Sequence, residues 1–346
     1  MRVIDSHFHW WPKSVFAANV GRSGYPRAEK QANGDYVYEF KAGAMRGAGR
    51  FTANDEWSNL EGQLEHMDSV HRGMGVLCST GPFGVHFSGL PAAEGRDQSM
   101  LWNEEMAGAQ RKYPGTLWAT GVMPLQETEM SLEVMDHAIN KLGLYGMNLP
   151  CSIGFDPRID ADRLEPVYAL AEKLDVPLFL HPTDQIFDEM LGKEYNGAMY
   201  MSLGRVIEVS VAAYRLVLSG MMERHPNLKI VMSHTGGALP YQSGRMDKNS
   251  KAAELPKDPS VYIRRMYTDT VSPHALGVKF AVDYYGVDHV LYGSDYPCWN
   301  PTAALRVFDE AGLSEADAEQ ILSGNVIRLF KLKGATPAPE KELVAV

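Results

Sequence analysis

Eight short runs of β-branched and other apolar residues, near positions 2–6, 75–79, 118–123, 145–149, 177–180, 228–233, 266–270 and 289–294, alternate along this chain with segments of helical periodicity. Leu60, Leu64 and Met67 recur at helical spacing before the second run, Val134, Ala138 and Leu142 before the fourth, and Leu164, Val167, Leu170 and Leu174 before the fifth. Strands without polar alternation are buried on both faces, and when amphipathic helices separate them they build a parallel sheet covered on its outer side. Eight such units predict an α/β fold closed into a (β/α)8 TIM barrel; an open doubly wound sheet is the competing arrangement. With 346 residues the chain has room for one barrel with insertions, and residues 1–332 are assigned to that single domain.

Two stretches exceed ordinary connections. Residues 19–57 hold an Asn33-Gly34 turn signal followed by the alternating Tyr36-Val37-Tyr38-Glu39-Phe40, which predicts a small hairpin inserted after the first strand. Residues 183–203, rich in Met, Tyr and Gly, follow the fifth strand as a lid loop. Both would stand over the C-terminal mouth of the barrel. There Phe187, Met190, Met199, Tyr200 and Met201 would form a pliable apolar wall, or else pack in the core. Residues 333–346, with two prolines and scattered charges, read as a C-terminal tail.

The net charge of −10, with no long Lys/Arg block, opposes binding to nucleic acid or to an anionic membrane surface. Cys78, Cys151 and Cys298 are odd in number and widely spaced, so they read as three buried, reduced thiols. Asp5, His7 and His9 stand where a signal peptide would be apolar, and Arg215 interrupts the apolar residues 209–218. A soluble, cytoplasmic protein is expected.

Four of the runs deliver a histidine or aspartate at their C-terminal edge, where parallel barrels hold their reactive groups. His7 and His9 end the first, His181 the fifth, His234 the sixth and Asp295 the eighth. In a strand His7 and His9 point to the same side about 7 Å apart, near enough to converge on one ion. The pair alone is weak among 11 histidines; its coincidence with His181, His234 and Asp295 on one rim carries the argument. His7, His9, His181 and Asp295 would hold one divalent ion, Zn²⁺ first and Mn²⁺ second, with a coordination position left open. A second ion would need a bridging modified lysine after the fourth strand, and Tyr145-Gly146-Met147-Asn148-Leu149 has none. His234, before Thr235-Gly236-Gly237, would move a proton where glycines let the backbone approach a ligand; a fourth ligand or a buried hydrogen-bonded residue is the alternative. Asp295 has a second possible role as proton donor or acceptor. The remaining histidines lack a convergent partner, and only His86, after the second run, could line the mouth.

The His-x-His pair, His181-Pro182, His234-Thr235-Gly236-Gly237 and Gly293-Ser294-Asp295-Tyr296-Pro297, together with Glu165-Pro166-Val167-Tyr168 and Gly324-Asn325, resemble the amidohydrolase superfamily over nearly the whole chain. The likeness is strongest to the branch typified by 2-amino-3-carboxymuconate-6-semialdehyde decarboxylase. It implies His7, His9, His181 and Asp295 as metal ligands and His234 as the catalytic histidine. It also places Arg245 where family dimers offer an arginine to the neighbouring subunit's substrate carboxylate, so a homodimer or higher homo-oligomer is expected. Arg46 and Arg50, in the first insertion, would add a second guanidinium clamp. The competing reading of each arginine is a solvated surface charge. Thr183 stands where that decarboxylase has a tryptophan, which leaves the substrate open.

The activity this predicts is non-oxidative decarboxylation of a small aromatic or unsaturated (hydroxy)carboxylate. Hydrolysis or hydration by the same centre is the alternative: attack on an amide, a lactone, a carbon-carbon bond or an activated double bond. A scaffold without turnover is a third reading, opposed by the intact ligand set and His234.

Overall fold

The computed structural model describes residues 1–41, 48–79, 81, 90–154, 156–183, 191 and 194–335. Eight parallel strands form its barrel wall: β1 (Ile4–His9), β5 (Gly75–Ser79), β6 (Leu117–Ala119), β7 (Met147–Pro150), β8 (Leu178–His181), β9 (Ile230–Met232), β10 (Tyr267–Asp269) and β11 (Val290–Leu291). Regular ladders run β1-β5-β6 and β7-β8-β9-β10-β11. Two seams close the ring. Tyr145 N donates to Ala119 O, and Asn148 N to Gly121 O, joining β6 to β7. Ser6 N donates to Tyr292 O and Asp295 N to His7 O, joining β1 to the segment after β11.

Successive residues of these strands enter two different cores, as the side-chain alternation of a strand requires. Val76, Cys78, Leu178, Leu180, Ile230 and Met232 pack into the large cluster shared with the helices. Their neighbours Leu77, Phe179 and Val231 join Ile4, Trp118 and Leu291 inside the barrel. The helix Asn325–Phe330 seals that inner cluster from below with Val326, Leu329 and Phe330, while Trp118 Nε1 donates to Lys333 O at 2.9 Å. Ala335 still packs against this cluster, and residues 336–346 lie outside the described residues. Truncating a fully buried side chain such as Phe179 to Ala would cost about 3–5 kcal/mol.

The expected helices form where apolar spacing places them. Leu60, Leu64 and Met67 are the buried face of Leu60–Val70, and Val167 and Tyr168 that of Glu165–Leu174. Between β1 and β5 the chain makes a three-stranded antiparallel sheet, β2 (Arg27–Lys30), β3 (Tyr36–Lys41) and β4 (Ala48–Ala53), so the Asn33-Gly34 turn joins the first two of three strands. Phe16 binds this sheet through the rings of Tyr38 and Phe51, and Trp11 stacks on Trp57 at 3.8 Å between centroids. Cys78 and Cys151 are buried, but Cys298 is exposed, because it follows Pro297 in a turn and not in a strand. Among the described residues no helix is long and apolar enough to cross a membrane.

Candidate metal centre

The first two ligands owe their placement to an irregularity in β1. Its register against β5 slips between Asp5 and Phe8, so one extra residue is accommodated, and the His7 amide leaves the ladder to donate to Asp5 Oδ1 at 3.0 Å. Asp5 also accepts from Ser294 N at 3.0 Å and from Ser294 Oγ. This buried carboxylate thereby ties the backbone beside His7 to the backbone beside Asp295. Burial raises the Asp5 pKa to about 6 against the pull of those hydrogen bonds.

His7 Nε2, His9 Nε2 and Asp295 Oδ1 form a triangle with edges of 3.1, 3.0 and 3.3 Å. His181 completes a buried group whose four ligand atoms all lie within 4.8 Å of one another. Atoms about 2.1 Å from a shared ion stand roughly 3.4 Å apart in a tetrahedron, so this spacing suits one small cation. Two further observations fit such an ion. His181 Nδ1 faces Pro182 O at 2.9 Å, while its buried Nε2 has no hydrogen-bond partner among the described residues. His9 is held from behind, its Nδ1 3.2 Å from Ser79 O.

The electrostatics have the same sense. Burial opposes charge on His7, but the Asp295 carboxylate and the hydrogen bond to Asp269 overcome it and raise the pKa. Burial alone would raise Asp295, yet His7, His234 and His9 hold it well below the usual carboxylate range. Burial lowers His9 and His181 and so favours neutral imidazoles with free lone pairs. A dry carboxylate ringed by imidazoles attracts a cation, and protons and divalent metal compete for it.

His234 stands at the edge of this group, Nε2 3.5 Å from Asp295 Oδ2 and its ring centroid 5.5 Å from that of His7. It begins four consecutive residues of positive φ, His234 (55°), Thr235 (55°), Gly236 (73°) and Gly237 (62°). Non-glycine residues in this region carry strain, and they persist where their surroundings hold them. Here Thr235 N donates to Asp269 Oδ1 and Gly237 N to His234 O. The two glycines serve packing: a Cβ at Gly236 would collide with Tyr285 Oη, and one at Gly237 with Val206 O and Ser210 Oγ. Asp295 is also left-handed, with φ 61°.

Residues 4–332 match the family described as Amidohydrolase (Amidohydro_2). The chain belongs to the amidohydrolase family. It is 29% identical over 254 residues to the gamma-resorcylate decarboxylase of Rhizobium sp. (strain MTP-10005), covering 67% of this chain and 76% of that protein. It is 27% identical over 248 residues to the 2-amino-3-carboxymuconate-6-semialdehyde decarboxylase of Dictyostelium discoideum, covering 68% and 67% respectively. The fold superposes with TM-score 0.75 on a dihydroxybenzoic acid decarboxylase from Polaromonas sp. JS666 with bound manganese and the inhibitor 2-nitroresorcinol, at 20% identity over 95% of this chain and 97% of that one.

This amidohydrolase thus brings His7, His9, His181, Asp295 and His234 together. Arg245 lies exposed on the helix Leu239–Asn249 and makes no hydrogen bond or ion pair among the described residues. Arg50 is exposed on β4, in register with Glu39 of β3. Arg46 falls outside the described residues, as do His86, Phe187 and Met190. Of the remaining apolar wall, Tyr200 is buried and Met201 exposed. Sequence reasoning does not single out Asp269, which is fully buried and accepts from His7 Nδ1 at 2.7 Å. Its signal is positional, because it ends β10 on the same rim that carries the ligands.

Proposed function

We propose that this amidohydrolase is a non-oxidative decarboxylase of an aromatic or unsaturated, hydroxylated carboxylic acid, working with one divalent ion, Zn²⁺ or Mn²⁺. The observation that carries the proposal is the contact of His234 with Asp295 beside the His7, His9 and His181 imidazoles, in a family where most of the matched relatives are named decarboxylases and one is named a hydratase. The manganese in the Polaromonas relative supports Mn²⁺, and the three-imidazole donor set supports Zn²⁺ equally. Asn148 supports a single ion. Within β7 its side chain is engaged with Ser79 Oγ, Thr120 Oγ1 and Gly121 O, and offers no bridging group.

When bound, the ion orients the substrate and stabilises the negative charge that develops as CO2 departs. The chain's own groups do the rest. An arginine holds a substrate carboxylate in a bidentate contact: Arg245 from a second copy of the chain, or Arg46 and Arg50 from the inserted sheet. His234 or Asp295 delivers a proton to the carbon that has lost CO2, so carboxylate plus proton becomes the C–H product and CO2. His234 Nδ1 is buried without a hydrogen-bond partner among the described residues, which leaves it available to a bound molecule.

The test is CO2 release from a panel of hydroxybenzoates and muconates, with a parallel assay for incorporation of labelled solvent oxygen. CO2 evolution without oxygen incorporation is expected. Oxygen incorporation without CO2 would replace the proposal with the hydrolase or hydratase reading.

A further inference from the structure

Asp269 has two oxygens and two separate duties. Oδ2 accepts the Nδ1–H of His7 at 2.7 Å, which in the neutral imidazole leaves the Nε2 lone pair facing His9 Nε2 and Asp295 Oδ1. Oδ1 accepts from Thr235 N at 3.2 Å and Val271 N at 3.0 Å, so it holds the peptide that follows His234 in its strained left-handed turn. Both side chains of the His7–Asp269 pair are fully excluded from solvent. The fit between them is close: a Cβ at Gly293 would stand 2.8 Å from His7 Cβ and 3.3 Å from Asp269 Cβ.

We infer that Asp269 is a positioning residue which sets the metal-facing tautomer of His7 and, through its other oxygen, the seat of His234. A histidine that ligates through one nitrogen is oriented by what its other nitrogen donates to, and such outer partners typically contribute 10- to 100-fold to metal affinity. One carboxylate thereby links the ion's first ligand to the proton-transferring residue, with no covalent chemistry of its own. The inference rests on the metal-centre reading and is independent of the substrate.

Asparagine separates positioning from a merely structural role. In Asp269→Asn the amide oxygen still accepts from Thr235 and Val271, but an NH2 group faces His7 Nδ1 and favours the tautomer with a proton on Nε2, toward the ion. Alanine removes both functions. Metal-stripped full-length wild type, Asp269→Asn and Asp269→Ala are compared by Zn²⁺ competition against a chelator, by melting, and by hydrogen exchange of the segment containing Thr235.

The expected result for Asp269→Asn is Zn²⁺ affinity lowered by about 10- to 100-fold, with near-wild-type melting and unchanged exchange at Thr235. Asp269→Ala is expected to lose affinity and to exchange faster there. Zn²⁺ affinity within about two-fold of wild type in Asp269→Asn would overturn the inference, set against that same outer-partner scale. A measurement without substitution guards against a variant that fails to fold: ¹⁵N spectra of Zn²⁺-loaded wild type should show His7 protonated at Nδ1, and metal at Nδ1 would overturn the proposal. Wild type that takes up no Zn²⁺ would instead overturn the metal centre itself.

Discussion

Gly293 and His7 approach so closely that a Cβ on the glycine would lie 2.8 Å from Cβ of the histidine. Real carbon contacts do not reach this distance, so Gly293→Ala must push the backbone after β11 away from β1. Overpacking of a tight interior costs about 1–3 kcal/mol. The variant is expected to melt earlier than wild type and to retain less metal, as scanning calorimetry and elemental analysis would show. Wild-type metal content with wild-type melting would mean that the seam yields without moving His7.

His181→Ala removes a ligand whose Nε2 has no hydrogen-bond partner among the described residues. The fold loses little, because the other ring nitrogen only faces the adjacent Pro182 carbonyl. Metal content after dialysis against a limiting zinc buffer should fall sharply while the circular dichroism spectrum is kept. Full retention of metal would remove His181 from the ligand set.

His234→Ala should separate proton transfer from metal binding. Its Nε2 is 3.5 Å from Asp295 Oδ2, outside the short triangle of His7, His9 and Asp295. Turnover is expected to drop by about 10²–10⁴-fold, the usual scale of lost acid–base catalysis, with metal content unchanged. Loss of metal in this variant would make His234 a ligand.

Arg245→Ala is expected to keep its metal and raise KM by about 10-fold or more, the scale of a lost charge-assisted hydrogen bond. If the arginine serves a neighbouring copy, mixing this variant with His234→Ala should restore part of the activity, since hybrid dimers contain one intact site. Kinetics equal to wild type would leave Arg245 as a surface charge.

Acid stability should depend on Glu165. The Arg224 guanidinium, and after it His225, lower its pKa from the ordinary 4.5. The folded carboxyl binds a proton less readily than the unfolded one, so the stabilisation is present above about pH 4.5 and is lost as the pH falls through the folded value. The pair is partly exposed, so the effect should stay below about 1 kcal/mol. Urea melts from pH 7 to pH 3 should be less pH-dependent for Glu165→Gln; an unchanged profile would show that the contact contributes nothing.

The barrel and its ligands were legible because one physical rule places both. Apolar runs without polar alternation mark strands buried on two faces, and the polar residue that ends such a run lies at the mouth; His7, His9, His181 and Asp295 all obey it. Asp269 obeys it as well, but Thr268-Asp269-Thr270 carries no pattern that separates an outer partner of a ligand from an ordinary turn aspartate. The eighth run was harder to bound. Regular pairing stops at Leu291, because the chain beyond it leaves β10 to bond with β1 and then turns left-handed at Asp295. Arg50 and Arg245 are exposed, and nothing local to an exposed guanidinium distinguishes a clamp from a solvated charge.

The Asp5–Ser294 tie, already described as a link between two backbones, also sets an order in time. It joins the opening strand of the polypeptide to a segment almost three hundred residues later, and the cluster draws on both. A ribosome must therefore pass Asp295 before the centre can assemble, and contacts so distant along the chain form slowly. A chain interrupted before that residue would leave its three imidazoles without their carboxylate.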